Sequence, residues 1–290
     1  MLNRNDWDLP RPGPIRKTDA NSHERAFANS PEASGHPVSL LDDVLHPLAV
    51  LAASALAFVA PDVLAADATS LRGAWRLEAY ELAGGARPSD GVLLFESDHF
   101  GMVYTMDGAN GSLSGRAHAG PVQVEGNVIR FGVQWWVEDV DGVARVAAGA
   151  TSNTKMELDG DRLTLHFPNG AIQKLRRLPS PRQPQTTGLW NVRGVRVPGA
   201  AEIAASGLLL TAGGHFVLVY TEGESGKATR GYSAAGRIVD HALPVDRGIA
   251  SVDGIGTVYV GGARNEWTLR GSGATRTLTD LADRTLALSR

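Results

Sequence analysis

The chain contains no cysteine. That excludes disulfides, thiolate nucleophiles and cysteine-ligated zinc together. It does not fix the compartment, because an exported protein folds without disulfides when its cores are large enough. Charge of one sign is also missing: 28 basic residues stand against 31 acidic ones, and no long basic run occurs. Nucleic-acid affinity rests on clustered phosphate-neutralising Lys and Arg, so no nucleic-acid partner is expected. The one dense basic stretch, Lys174-Leu175-Arg176-Arg177, falls at the end of a strand-like segment and reads as a solvated strand end. Long hydrophobic runs are absent too. Residues 48–60 (LAVLAASALAFVA) form the main apolar run, which is too short to span a bilayer comfortably, so no stable membrane span is expected.

The first 66 residues read as a leader. Residues 1–45 are rich in Pro, Asn, Ser and Asp without apolar periodicity and are expected to be disordered. The run that follows suits the core of a signal peptide, and Val63 and Ala65 occupy the small-residue positions before a cleavage at Ala66. Two features disagree: Asp42 and Asp43 stand where a signal carries positive charge, and a long segment precedes the run. Export to the periplasm or medium is the leading expectation. A short buried helix in a cytoplasmic protein and a membrane anchor stay open beside it.

An internal repeat organises the rest. Residues 91–105 (GVLLFESDHFGMVYT) align with residues 207–221 (GLLLTAGGHFVLVYT) at an offset of 116, with identity at eight of fifteen positions. Upstream, Gly73-Ala74-Trp75 pairs with Gly188-Leu189-Trp190; downstream, Gly115 pairs with Gly231 and Gly120 with Gly236. The expected units are residues 71–178 and 187–290. Between them, residues 179–186 hold Pro179, Pro181 and Pro184, which supply no donor to a sheet ladder and read as a stiff linker.

Each unit consists of short alternating segments broken by turn dipeptides such as Asp107-Gly108, Asn110-Gly111, Asp141-Gly142 and Asp159-Gly160, the pattern of an all-β domain. In residues 127–138 (NVIRFGVQWWVE), the period-two rule places Ile129, Phe131, Val133, Trp135 and Val137 on one face and Trp136 on the other, where an exposed indole is expected to sit against the second unit. A meander with one apolar face leads to a sandwich or a closed barrel, and the barrel removes exposed edges. Leu71-Arg72-Gly73-Ala74-Trp75-Arg76-Leu77 resembles the Gly-x-Trp opening of lipocalin-like domains. Residues 91–108 and 155–165 resemble the bacterial lipocalin-like group, and the likeness is weaker over residues 186–290. The resemblance implies two tandem lipocalin-like antiparallel β-barrels, with Gly-x-Trp packing the closed end and a cavity for a hydrophobic ligand. It also implies that some tandem proteins of this fold act as cyclases or hydratases.

Site candidates are few. The repeated His-Phe-x-x-Val-Tyr-Thr puts Phe100, Met102 and Tyr104 on one strand face, and Phe216, Leu218 and Tyr220 on its counterpart. These six and Trp135 are the expected ligand contacts, with the tyrosine hydroxyls orienting a ligand or simply capping a core. The aliphatic second copy lacks a tryptophan doublet, so the first barrel is expected to be the principal site. His99 and His215 fall on the opposite face and offer acid–base chemistry only in principle. Asp139 and Asp141 belong to a hairpin turn, because the twelve-residue calcium loop is missing. No nucleophile elbow, phosphate loop or metal-ligand spacing occurs, so no metal and no cofactor is expected. The leading function is carriage of a small apolar molecule. An isomerase, cyclase or hydratase using groups at the cavity mouth, and a structural protein with filled barrels, stay open.

Overall fold

The computed structural model describes residues 68–290, apart from 83–84, 108–111, 141–142, 181–186, 224–227, 229, 253 and 261–265. The leader with its cleavage point at Ala65–Ala66, and most of the proline-rich linker, lie outside the described residues. A single helical turn, α1 (Ala68–Leu71), leads into β1 (Gly73–Leu82), β2 (Gly85–Arg87), β3 (Ser89–Glu96), β4 (His99–Asp107) and β5 (Leu113–Glu125). The unit continues with β6 (Val128–Val133), β7 (Trp135–Val140), β8 (Val143–Ala147), β9 (Ala150–Asp159), β10 (Arg162–His166) and β11 (Ile172–Arg177). Neighbours in sequence pair antiparallel; β6 and β7 act as one bent strand along β5, and β11 returns to close on β1.

The second unit repeats this plan. It runs through β12 (Gly188–Arg196), β13 (Ile203–Ala212), β14 (His215–Glu222), β15 (Arg230–Arg237) and β16 (Ala242–Val252). It ends with β17 (Ile255–Val260), β18 (Glu266–Arg270), β19 (Thr275–Asp280) and β20 (Thr285–Ser289). Here β17 and β18 share the edge of β16, and β20 closes on β12. The protein is therefore two closed antiparallel eight-strand barrels in tandem, consistent with a calycin-like fold. Registers coincide: Trp75 faces Leu93 as Trp190 faces Leu209, and Gly91 faces Tyr104 as Gly207 faces Tyr220.

One end of the first barrel is sealed. Leu71 of α1 is buried, its carbonyl accepts from Trp75 Nε1 at 2.8 Å, and the Arg177 guanidinium lies 4.0 Å over the Trp75 ring. Arg177 also donates to the carbonyls of Arg72 and Ser70, tying the end of β11 to the segment before β1. Trp190 is covered in the same manner by Arg276 and Arg290. A cation over an indole face is attracted by the ring quadrupole and shields it from water.

Three apolar clusters hold the molecule together. Two fill the barrels; the third, with Leu94, Val103 and Val137 from the first barrel and Leu210, Val217 and Ile249 from the second, lies between their outer walls. Strands β3, β4, β13 and β14 are thus buried on both faces, and they read as continuous apolar runs for that reason. The contact is reciprocal. A Cβ on Gly115 would meet Ile249 and Val258 across the interface, while one on Gly231 would meet Val137 and Val146. Arg247 pairs with Asp90 at 2.6 Å, and the equivalent couple is Trp135 Nε1 donating to Ser206 Oγ at 3.2 Å. Matching patches used by both partners are the signature of a two-fold contact.

A one-residue bulge interrupts the strand formed by β6 and β7. Val122 faces Phe131, yet Ala119 faces Trp135, so one extra residue lies on that strand. Because side chains alternate with period two, the extra residue reverses every face beyond it. Ile129, Phe131 and Val133 point into the barrel, whereas Trp135 and Val137 point outward to the second barrel. The single face read from the sequence is corrected here. The second copy has the same register shift beside Gly236. Gly120 and Gly236 are required by close approach: a Cβ would lie 2.0 Å from the Gly132 carbonyl oxygen in one and 2.1 Å from that of Pro244 in the other.

Candidate functional site

Inside the first barrel is a cavity of about 260 Å³. Its depth is apolar, formed by Leu93, Phe100, Met102, Phe131 and Leu165, and the exposed residues Thr151 and Asn169 mark its mouth. Phe131 meets Phe100 edge-on at 4.7 Å, which fixes the orientation of that wall. Of the residues expected to touch a ligand, Phe100, Met102 and Tyr104 line this cavity. Trp135 does not: it is on the outer wall, held by Ser206, and Trp136 takes the inward place.

The polar part of the wall comes from residues that registers bring together. The β4–β5 hairpin sets Tyr104 opposite Arg116 and Met102 opposite His118; the β5–β7 pairing then sets Arg116 opposite Glu138 and His118 opposite Trp136. One row therefore runs Tyr104, Arg116, Glu138 and, on β8, Arg145. Arg116 Nε lies 3.2 Å from Glu138 Oε2, and Arg145 Nη1 lies 4.0 Å from Oε1 of the same carboxylate. The Tyr104 hydroxyl hydrogen-bonds with Arg116 and Tyr80, whose ring stacks on Tyr104 at 5.7 Å. Burial raises the Tyr104 pKa above its ordinary value despite the nearby Arg116.

The second row carries unused hydrogen-bonding capacity. His118 and Trp136 meet edge to face at 4.9 Å, and neither His118 Nε2 nor Trp136 Nε1 has a hydrogen-bond partner among the described residues. Gln173, 2% exposed and also in the cavity wall, leaves its Oε1 unpartnered. Burial, helped by the positive charge of Arg116, pushes the His118 pKa down to about 3, so the ring is neutral at physiological pH. Buried polar groups without partners are uncommon and ask for a reason.

The second barrel is built differently inside. Phe216, Leu218 and Tyr220 are fully buried in its core, and Tyr220 stacks on Tyr232 at 5.1 Å. Tyr232 occupies the register position of Arg116, and Ala234 that of His118. The position matching Trp136 is Gly248, and the Tyr259 ring fills the space, its hydroxyl donating to the Ser233 carbonyl at 2.9 Å. Arg284 lies over both Tyr232 and Trp267.

His99 pairs with Asp98 at 2.6 Å and His215 sits against the Gly213 carbonyl, both at hairpin turns. Among the described residues no group of His, Asp or Glu is placed to hold a metal ion, and no helix is long and apolar enough to cross a membrane. Arg116, His118 and Gln173 escaped the sequence reading, and Trp136, expected against the second unit, exchanges places with Trp135. Two signals pointed to them: the hairpin centred near Asn110, which fixes what faces Tyr104, and the Gly120–Gly236 match, which marks the bulge. Comparison with family models, with curated proteins and with solved structures gives no match, so the meaning of the site rests on its geometry.

Proposed function

We propose that the protein binds and carries a small hydrophobic molecule in its first barrel, as a lipocalin-like domain would. The observation that supports this most is the asymmetry of two barrels of one design. The first keeps an aromatic-lined cavity with polar groups in its wall, while Tyr232, Tyr259 and Arg284 occupy the corresponding interior of the second. Pockets of this type are mostly apolar with a few polar groups that fix orientation. At about 260 Å³ the cavity suits a compact ligand rather than a long chain. In this reading the second barrel supports the first through their shared outer walls. The test is a titration of a hydrophobic fluorophore against the full chain and against Ala150→Trp, which plugs the mouth. Saturable binding by the parent and none by the folded variant is expected; equal binding by both would place the site elsewhere.

A second reading, an isomerase, cyclase or hydratase, is favoured by the convergence of Tyr104, His118 and Glu138. Proton transfer works best for groups that titrate near the working pH. Tyr104 is pushed up and His118 down to about 3, which favours carriage over catalysis. Export remains part of the proposal, on the strength of the apolar run before Ala66. Intact mass of protein recovered from its natural source should begin near that residue; retention of residues 1–65 in the cytoplasm would refute it.

A further inference from the structure

The carrier reading leaves open what kind of head group the ligand has, and the charge arrangement of the wall addresses it. Among the described residues Arg116 is the only ionised side chain lining the cavity, and its charge is matched by Glu138, which is 5% exposed and not itself in the wall. Arg145, the second cation near Glu138, is largely exposed at the rim and solvated. His118 contributes no charge. The Arg116–Glu138 pair is one of charge rather than hydrogen bonding, since Arg116 Nε and Glu138 Oε2 both lack a hydrogen-bond partner among the described residues. Beside it the wall offers neutral hydrogen bonding, an indole N–H on Trp136, an imidazole nitrogen on His118 and an amide oxygen on Gln173, likewise without partners there. We infer that the first barrel selects an uncharged ligand, an alcohol, phenol or ketone of about ten heavy atoms, over a carboxylate of the same shape.

The physical basis is desolvation. A carboxylate entering this site gives up its water and finds the charge of the cation in the wall already matched by Glu138. A carbonyl or hydroxyl gives up far less and can accept from Trp136 Nε1, whose only hydrogen-bonding role is to donate. The hydroxyl of an alcohol or phenol can also donate to Gln173 Oε1.

This inference rests on the proposed binding function, and the experiment separates the two. The full chain is titrated by calorimetry at pH 7 with 4-ethylacetophenone, 4-ethylbenzyl alcohol and 4-ethylbenzoate, which share one apolar body. The neutral pair should bind at least about tenfold more tightly than the acid, a difference of about 1.4 kcal/mol. Glu138→Gln, which leaves Arg116 unmatched, should reverse the order in a variant whose unfolding midpoint shows it folded. Trp136→Phe should weaken binding of the ketone while leaving that of ethylbenzene unchanged. Equal or tighter binding of the benzoate by the parent would overturn the inference while leaving the carrier function intact. Binding of none of the probes, nor of the fluorophore, would overturn both.

Discussion

Replacing Gly120 by alanine is the sharpest perturbation the fold offers. The added Cβ would lie 2.0 Å from the Gly132 carbonyl oxygen and 2.9 Å from the Gln134 nitrogen. Both are backbone atoms, so no rotamer change relieves the contact. The bulge must either open, losing the 2.9 Å bond from Gln134 N–H to the Ala119 carbonyl, or push the β5–β6 ladder apart. Overpacking of this kind costs about 1–3 kcal/mol, and the lost hydrogen bond about 0.5–1.5 kcal/mol more. A total near 2–4 kcal/mol corresponds to a fall in the unfolding midpoint of about 5–15 °C for a unit of this size. Gly236→Ala should behave alike, since its Cβ would lie 2.1 Å from the Pro244 carbonyl oxygen. Gly132→Ala is the control: its nearest neighbour is the Pro121 ring at 3.1 Å, so it should stay within about 1 kcal/mol of the parent. The two alanine variants should differ in function, because only the bulge beside Gly120 decides that Trp136 faces the cavity. Thermal unfolding with fluorophore titration measures both. A Gly120→Ala protein with an unchanged midpoint and unchanged affinity would refute the account of the bulge.

Other outcomes follow from the same geometry. Tyr104→Phe should weaken ligand binding by about 0.5–1.5 kcal/mol if the hydroxyl network positions the ligand; unchanged calorimetric affinity would remove the hydroxyl from the site. Trp135→Ala should lower stability by less than the about 3–5 kcal/mol of a fully buried tryptophan, because Trp135 is half-buried in the wall between the barrels, yet leave affinity within about twofold, and a large loss of affinity would return Trp135 to the binding site. His118 titrates at about 3 when folded, below its ordinary value near 6.5. The unfolded chain therefore binds a proton that the folded one refuses. The stability contributed by the neutral ring is complete above about pH 6.5 and is lost as pH falls toward 3, at up to about 1.4 kcal/mol per pH unit. Denaturant unfolding from pH 7 to 4 should show a shallower decline for His118→Asn than for the parent, and identical slopes would refute this.

Much of the fold was legible because turns and repeats are local. The paired glycines, the Gly-x-Trp starts and the turn dipeptides mark an all-β repeat, and the equivalent registers of Trp75 and Trp190, and of Tyr104 and Tyr220, agree with the 115–116 offsets. The Trp135–Trp136 pair was misassigned because alternation counts residues and a bulge adds one without changing composition. The signal was present in Gly120 and Gly236, but a glycine in a strand says only that something approaches, and the approaching strand is distant in sequence. The charged row Arg116–Glu138 was hidden for a different reason. Arg116 and Glu138 are expected at the surface by type, and only the closed meander turns their side of β5 and β7 inward.

The repeated motif itself has a double origin. Along β4 and β14 the residues facing inward, Phe100 with Phe216 and Tyr104 with Tyr220, build barrel interiors, whereas Val103 and Val219 build the wall shared between them. A reciprocal contact of this kind uses each outer residue twice, once in each copy, so a change in one copy disturbs its partner's matching patch. The inner faces carry no such coupling, because each barrel's interior meets only itself. Interiors can therefore diverge independently, whereas a change in the outer wall is met by the residue facing it, as Arg247 is by Asp90 and Trp135 by Ser206. Arg116 against Tyr232, His118 against Ala234 and Trp136 against Gly248 are the resulting differences, all inward, all in one region of the barrel. A tandem pair held by a two-fold wall can thus line one barrel with a cavity and place Tyr232 and Tyr259 in the corresponding interior of the other.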